Sequence, residues 1–488
     1  MLNVEKHRAI QMNLPEEGEW AVCSVNRSDA GVSRISADTV SSKWLSNCEK
    51  ERALTVRLME KVADPANLET ACRRVISNRG SSGVDEMTVV ELGRWFSAHW
   101  IDLQQQLLSG SYQPSPVRTV IIPKPNGGQR MLGIPTVKDR LVQQAIHQVL
   151  SPRYERVFSP SSFGFRPNKS AHDALEKASD FVQSGAYWLV DIDLEKFFDE
   201  VNHDRTMWIL SRRIGDKRVL KLIHSFLKSG MMTGGVVSQR IKGTPQGGPL
   251  SPLLSNIVLD ELDKELELRG HQFVRYADDL RIFVESERSA NRVMKSVSDY
   301  IETRLKLKVN RTKSRVCKGF ETNFLGHSLL GGGKIGLSKE SERRFKKAIK
   351  ETTRRNRGIS LEQVIVELNR KLRGWLNYFR YASMKSKIED FTGWIQRKIR
   401  CFRLKQCKRA SGMFHFFGKL GLTKKKIWYI AGCRKGWWRK SATPPVHEAM
   451  NNQWFRKIGL FDLLGTFNRY KLEETAVYES TYGGVRGR

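Results

Sequence analysis

The sequence predicts an α+β protein, with strands in its earlier part and long helices in its later part. Two observations carry this. Thirteen of the fifteen prolines fall at or before Pro252, and none lies between Pro252 and Pro444. The earlier part is therefore cut by turns, while the later part is free to hold long helices. The apolar period also changes along the chain. In "YWLVDIDL", Val190, Ile192 and Leu194 alternate with Leu189, Asp191 and Asp193, the period of a strand. In "LEQVIVELNRKLRGWLNYFR", Leu361, Val364, Ile365, Leu368, Leu372, Trp375, Leu376 and Phe379 recur at steps of three and four, the period of a helix with one buried face.

Residues 1 to about 45 are polar and Ser-rich and read as a flexible leader. From about 50 to 110 the pattern is helical, interrupted by the Gly/Ser loop "NRGSSGVDEMTV". Residues 120–146, "VIIPKPNGGQRMLGIPTVKDRLVQQAI", read as strand, Pro/Gly turn and strand, with Lys124 and Arg130 on either side of the turn. Such a basic hairpin can clamp a triphosphate, although two solvated surface cations would look the same in isolation. In residues 187–201, strand alternation puts Asp191 and Asp193 on one face. Residues 243–266, "GTPQGGPLSPLLSNIVLDELDKEL", read as a tight loop entering a helix, of the kind that lets backbone approach a ligand. In "FVRYADDLRIFV", Asp278 and Asp279 interrupt two apolar halves. Asp is disfavoured in strands and common in turns, so a hairpin is the simplest account. A hairpin that presents two acids beside a strand carrying two more also makes a site for divalent metal, because hard oxygen ligands suit Mg²⁺ and two-metal sites drive in-line displacement at phosphorus.

The charge balance narrows the partners. The chain has 488 residues, 84 Lys and Arg against 51 Asp and Glu, a net charge of +33 and 40% hydrophobic residues, so it is globular and strongly basic. Such an excess calls for a polyanion, either nucleic acid or an anionic membrane surface. No apolar run reaches the length of a membrane span, and the first residues lack the apolar core of a secretory signal, so nucleic acid and an intracellular, cytoplasm-like location are the expectation. Between Ser341 and Lys440, 29 Lys and Arg stand against 6 Asp and Glu, interleaved with Trp394, Phe402, Trp428, Trp437 and Trp438. A run of like charge is ordinarily a solvated face and a Trp ordinarily core. Over a hundred residues, cations for phosphates with rings for stacking make a nucleic-acid surface. Seven scattered cysteines without a CxxC pair argue for reduced thiols and against a zinc finger or a Cys-ligated HNH nuclease.

"YADD" with "DIDLEKFFD", "GTPQGGPLSPLLSNI", "FGFRPNKSAHDAL" and "IPKPNGGQRMLGIPTVKDR" resemble, in order, the motif blocks of the reverse transcriptases encoded by group II introns. "FLGHSLL" at 324–330 fits the last block, "LRGWLNYF" at 372–379 resembles the family's thumb or maturase domain, and "RKGWWRKS" at 434–441 resembles a block near its C-terminus. The resemblance covers about residues 50 to 470 and implies a right-hand polymerase fold. Fingers and a palm with a small antiparallel sheet would occupy residues 49–335 after the leader of residues 1–48. An α-helical thumb or maturase domain would follow at 336–405, and a short basic DNA-binding region at 406–488.

By this resemblance Asp193, Asp278 and Asp279 are the catalytic, metal-binding carboxylates, holding two Mg²⁺ with Mn²⁺ as a substitute, and Asp191 is a neighbour without an assigned role. Phe198 matches the aromatic gate that selects deoxynucleotides. Lys124, Arg130 and Gln246 match residues around the incoming nucleotide, Arg166 lies in a motif associated with the template, and Lys313 is a candidate acid for the leaving pyrophosphate. Arg373, Arg397, Lys398 and Arg400 are candidate RNA contacts in the basic region. The implied function is RNA-directed DNA synthesis by two-metal phosphoryl transfer, with a maturase role in splicing and mobility. The implied partners are intron RNA, an RNA template with DNA primer, target DNA and dNTPs. The alternative is an RNA-binding splicing cofactor, or a domesticated relative used in repair or defence.

Overall fold

The computed structural model describes residues 55–482 apart from 124–128, 234 and 235. The Ser-rich leader and Lys124 lie outside the described residues, and the Arg130 side chain is likewise outside them.

Among the described residues ten strands lie between Val117 and Leu337. Helices precede, separate and follow them, and the 21-residue Val89–Ser109 helix nearly matches the 22-residue Lys385–Gln406 helix, so the proline-rich part also holds long helices. The strands are β1 (Val117–Pro123), β2 (Gln129–Ile134), β3 (Trp188–Asp193), β4 (Met231–Thr233), β5 (Val236–Ser238), β6 (Gln272–Tyr276), β7 (Asp279–Val284), β8 (Arg315–Lys318), β9 (His327–Leu329) and β10 (Ile335–Leu337).

They form three sheets. One has the order β2-β1-β4-β5, with β1 parallel to β4 and its other pairs antiparallel. The second is an antiparallel sheet of order β6-β7-β3-β8. The third is the two-stranded β9–β10 ribbon.

The second sheet carries the acids, and both of its faces are packed. Val190, Ile192, Phe273, Leu280 and Ile282 enter the main core, which includes Leu254, Val258 and Leu262 of the Ser251–Leu268 helix. On the opposite face Leu189, Val274, Phe283 and Cys317 pack on Leu175, Ala178 and Val182 of the Ala171–Gln183 helix. That second face is apolar at one end only. Two residues further along β3 its chemistry turns to charge, at Asp191 and Asp193.

A separate apolar core runs from Leu337 to Phe467 through the C-terminal helices. Ser360 caps the Leu361–Phe379 helix by accepting a hydrogen bond from the Gln363 N–H. Leu361, Val364, Ile365, Leu368, Leu372, Leu376 and Phe379 are buried along it, as the stripe predicts. Each such side chain contributes about 1.5–3 kcal/mol relative to exposure. The ring of Trp375 stacks on Phe345 at 4.1 Å.

Candidate active site and nucleic-acid surface

Strand register brings the acids together. Asp193 on β3 is the cross-strand partner of Asp279 on β7, and Asp191 is the partner of Arg281. Since side chains of one strand face recur every second residue, all four share a face. The side chains of Asp193 and Asp279 are each 37% exposed, at the open end of that face. Arg281 lies deeper, and its Nη1 donates to Asp279 Oδ1 at 2.6 Å and contacts Asp191 Oδ1 at 2.7 Å. Lys313 Nζ donates to Asp193 Oδ2 at 3.2 Å. Burial pushes the Asp191 carboxyl up to about 6, against the pull of Arg281.

Asp278 sits in the two-residue turn between Tyr276 and Asp279, the hairpin that the sequence suggests. The other turn residue, Ala277, has φ +59°, a position where hairpins ordinarily use Gly or Asn. The surroundings hold it there. A Cβ on Gly164 would overlap the Ala277 nitrogen, so the "FGF" backbone lies directly against the turn.

Beneath it Arg275, 1% exposed, donates to both oxygens of the fully buried Asp263, at 2.7 and 2.5 Å. The same guanidinium donates to Asn256 Oδ1, Ala277 O and Ser162 Oγ, and Asn256 Nδ2 donates to Gly164 O. This network fixes the turn that carries Asp278, and motif reading missed it. The signal available was the unusual apolar setting of Arg275 and of Arg281 within "FVRYADDLRIFV".

A cleft of about 670 Å³ is lined by Phe198, Gln246, Gly247, Gly248, Leu132 and Arg140, among others. Two nucleotide-pocket candidates, Phe198 and Gln246, thus share one cavity. Gln246 Nε2 donates to Asp199 Oδ1 at 3.4 Å. The loop before the Ser251–Leu268 helix approaches closely on both sides, as its glycines suggest. A Cβ on Gly247 would lie 2.7 Å from Gly133 O, and Thr244 N–H donates to Phe198 O at 2.6 Å. Arg130 belongs to β2, opposite Ile122.

The RNA-contact candidates separate into two groups. Arg166 is buried, donating to Glu155 and to the carbonyls of Ser159 and Ser162. Arg400, 5% exposed, donates to Met450 O through two nitrogens, and burial lowers its guanidinium to about 10. A direct nucleic-acid contact by either would require the guanidinium to leave those carbonyls. In this structure both arginines are interior ties, their donors used by internal acceptors. Arg373, Arg397 and Lys398 reach the surface instead. Arg397 lies 4.0 Å over Trp438, Lys398 lies between Trp394 and Trp438, and Arg373 lies over Phe461. Trp428 is 62% exposed, with Tyr429 exposed beside it and Lys424, Lys425 and Lys426 just before it.

Among the described residues no three His, Cys, Asp or Glu side chains already converge as a metal cage. The fit to a divalent cation rests on the Asp193–Asp279 pair beside the turn carrying Asp278. It is a hard, all-carboxylate oxygen set, half-exposed and charged enough to have drawn Lys313 and Arg281 onto it. Hard divalent cations take such ligands.

Acids brought together on a small antiparallel sheet suit phosphoryl transfer, and the family comparisons agree. Residues 122–329 match the family described as reverse transcriptase (RNA-dependent DNA polymerase), and residues 342–421 match the group II intron, maturase-specific domain. The molecule is thus a reverse transcriptase, of a family whose chemistry depends on divalent metal, with nucleic acid as its partner. Protein YkfC of Escherichia coli strain K12 is 33% identical over 317 residues, covering 56% of this chain and 83% of that protein. The group II intron-encoded protein LtrA of Lactococcus lactis subsp. cremoris is 39% identical over 210 residues, covering 43% of this chain and 35% of LtrA. The match therefore spans about a third of LtrA's length. Among solved structures, a chain of a partial Cas6-RT-Cas1–Cas2 complex is 25% identical over 50% of this chain and 42% of that one, with a TM-score of 0.33. The chain belongs to the family of group II intron-encoded reverse transcriptases and maturases.

Proposed function

We propose that the protein copies intron RNA into DNA at Asp193, Asp278 and Asp279, and that it also grips the intron RNA as a maturase. The observation that carries this reading is the register pairing of Asp193 with Asp279 on one face of the β6-β7-β3-β8 sheet. The three carboxylates would hold two Mg²⁺, or Mn²⁺ in their place. Metal bound there would supply positive charge at the triphosphate and lower the pKa of the primer hydroxyl.

The chain's own residues do the rest. Phe198 walls the nucleotide cleft and excludes a ribose 2′-OH. Gln246 lines the cleft beside it, while Lys124 and Arg130 hold the triphosphate. Lys313, whose Nζ lies on Asp193, would supply the proton to the leaving group. Arg373, Arg397 and Lys398 contact RNA phosphates from the C-terminal helices. In this reading fingers and palm occupy residues 49–335, thumb and maturase 336–405, and a target-DNA-binding region 406–488, and the protein works in a cytoplasm-like compartment.

Primer extension on an RNA template with Mg²⁺ and dNTPs tests the proposal. Wild type is expected to make cDNA, and the Asp278→Ala/Asp279→Ala variant none while still binding structured RNA. Equal extension by both proteins would remove these acids from the reaction.

A further inference from the structure

Asp191 and Arg281 have no part in the scheme above, yet they form the best-buried ion pair on the acid face. Their side chains are 12% and 5% exposed, and the strand register sets them directly opposite each other. The Arg281 Nη1 bridges two carboxylates, at 2.7 Å from Asp191 Oδ1 and 2.6 Å from Asp279 Oδ1, and also donates to Leu280 O at 3.0 Å. The guanidinium lies over the buried ring of Phe324, 5.4 Å from its centroid. On the far side of Asp191, Arg315 on β8 is its partner in register and approaches Oδ2 at 3.9 Å.

The two cations on the acid pair are therefore unlike. Lys313 is 65% exposed on a flexible stem and is readily displaced from Asp193. Arg281 is enclosed by sheet and ring, and it has a second carboxylate to hold it.

We propose that Arg281 is a positioning residue and resident counter-cation for the metal-binding acids. In this arrangement Asp191 is the anchor that keeps part of the Arg281 charge away from Asp279. The inference rests on the reading that Asp193 and Asp279 bind divalent metal. Arg281 takes Oδ1 of Asp279 and not Oδ2, so it fixes the rotation of the carboxylate that meets the metal. It also offsets one of the negative charges that attract it. Two opposite consequences follow. Removing the Arg281 charge strengthens metal binding while loosening Asp279. Removing the Asp191 charge releases Arg281 wholly onto Asp279 and weakens metal binding.

The experiment uses the full chain without nucleic acid and titrates Mn²⁺ alone, reading free Mn²⁺ by electron paramagnetic resonance. Primer extension runs in parallel to separate kcat from KM. Arg281→Met is expected to bind Mn²⁺ roughly tenfold more tightly, since one unit charge a few ångströms away has been removed. Its kcat is expected to fall at least tenfold, with KM for primer–template unchanged. Asp191→Asn is expected to shift Mn²⁺ affinity the other way, and Arg281→Lys to restore wild-type affinity and part of kcat. Unchanged or weaker Mn²⁺ binding by Arg281→Met would overturn the proposal, as would shifts of the same sign in Arg281→Met and Asp191→Asn. If Arg281→Met does not fold, as judged by its thermal melt, the other two titrations decide: weaker Mn²⁺ binding by Asp191→Asn with wild-type affinity in Arg281→Lys supports the proposal, and unchanged or tighter binding by Asp191→Asn overturns it.

The Asp193→Asn/Asp279→Asn variant distinguishes the two levels of failure. Loss of Mn²⁺ binding there, without the opposed shifts, sinks only the role of Arg281. Retained binding sinks the metal reading and this inference with it.

Discussion

In the acid-bearing sheet and its supports, Arg166, Arg275 and Arg281 are buried and hydrogen-bonded to carboxylates or carbonyls. In the C-terminal helices, Arg373, Arg380 and Arg397 lie over the rings of Phe461, Tyr381 and Trp438. The same side chain thus serves two ends. Where acids are plentiful the guanidinium is neutralised inside the protein and fixes geometry. Where 29 cations face 6 acids, a ring supports the guanidinium without cancelling its charge, which stays available to a polyanion. Charge in the first region should respond to removal of a partner. Charge in the second, if it meets RNA as proposed, should respond to salt.

The largest expected effect is on Arg275. Arg275→Met leaves Asp263 buried and unpaired, a loss of about 3–5 kcal/mol, to be read by thermal or denaturant unfolding. Replacing both partners with apolar residues, Arg275→Met/Asp263→Leu, should recover much of that loss. If the single variant melts like wild type, the claim that buried arginines hold this region together fails.

An intermediate effect is expected where the two regions meet. His327 on β9 is fully buried, 4.8 Å from the Phe379 ring and 5.6 Å from that of Tyr378, with His172 beside the same tyrosine. Burial lowers its imidazole to about 4. The folded state therefore binds fewer protons than the unfolded state between about pH 4 and 6.5, and His327 costs stability as pH falls through that window. The loss is on the order of 3 kcal/mol. His327→Gln should flatten this part of the pH–stability curve, and an unchanged slope would show that other groups set it.

The smallest effect on stability belongs to the ring-supported cations. Arg397→Ala/Lys398→Ala should cost about 1 kcal/mol or less. It should reduce the slope of log RNA affinity against log salt by roughly 0.7–0.9 for each phosphate that the variant no longer neutralises. A large drop in stability with an unchanged salt slope would place these residues with the structural arginines instead.

Much of this was legible in the sequence, and the rest was hidden for definite reasons. Period-two alternation showed that Asp191 and Asp193 share a face, and the period of three and four showed the buried stripe of the Leu361–Phe379 helix. Alternation within one strand does not reveal which strand lies beside it, so the Asp191–Arg281 pairing required the register. The apolar setting of Arg275 marked it as unusual, but its partner, Asp263, is on a helix and could not be read from the strand. The interior bonds of Arg166 and Arg400 were hidden because burial of a long cationic side chain leaves no local pattern. Trp454 is buried and Trp428 exposed, and nothing adjacent in the sequence distinguishes them.

The place of β3 between β7 and β8 has a consequence for how the molecule comes into being. Both neighbours are made after it, and the Lys313–Asp193 contact spans 120 residues. While the chain emerges from the ribosome, β3 carries two unpaired edges until Val284 and then Lys318 have been synthesised. Such edges are templates for wrong pairing, and non-local strand pairing is slow. The acid face is therefore among the last features of the sheet to form, and a chain halted before Ser314 lacks the hydroxyl that accepts the Asp193 backbone N–H. Nascent chains of increasing length should show this interval as a window of protease sensitivity that closes once β8 is complete.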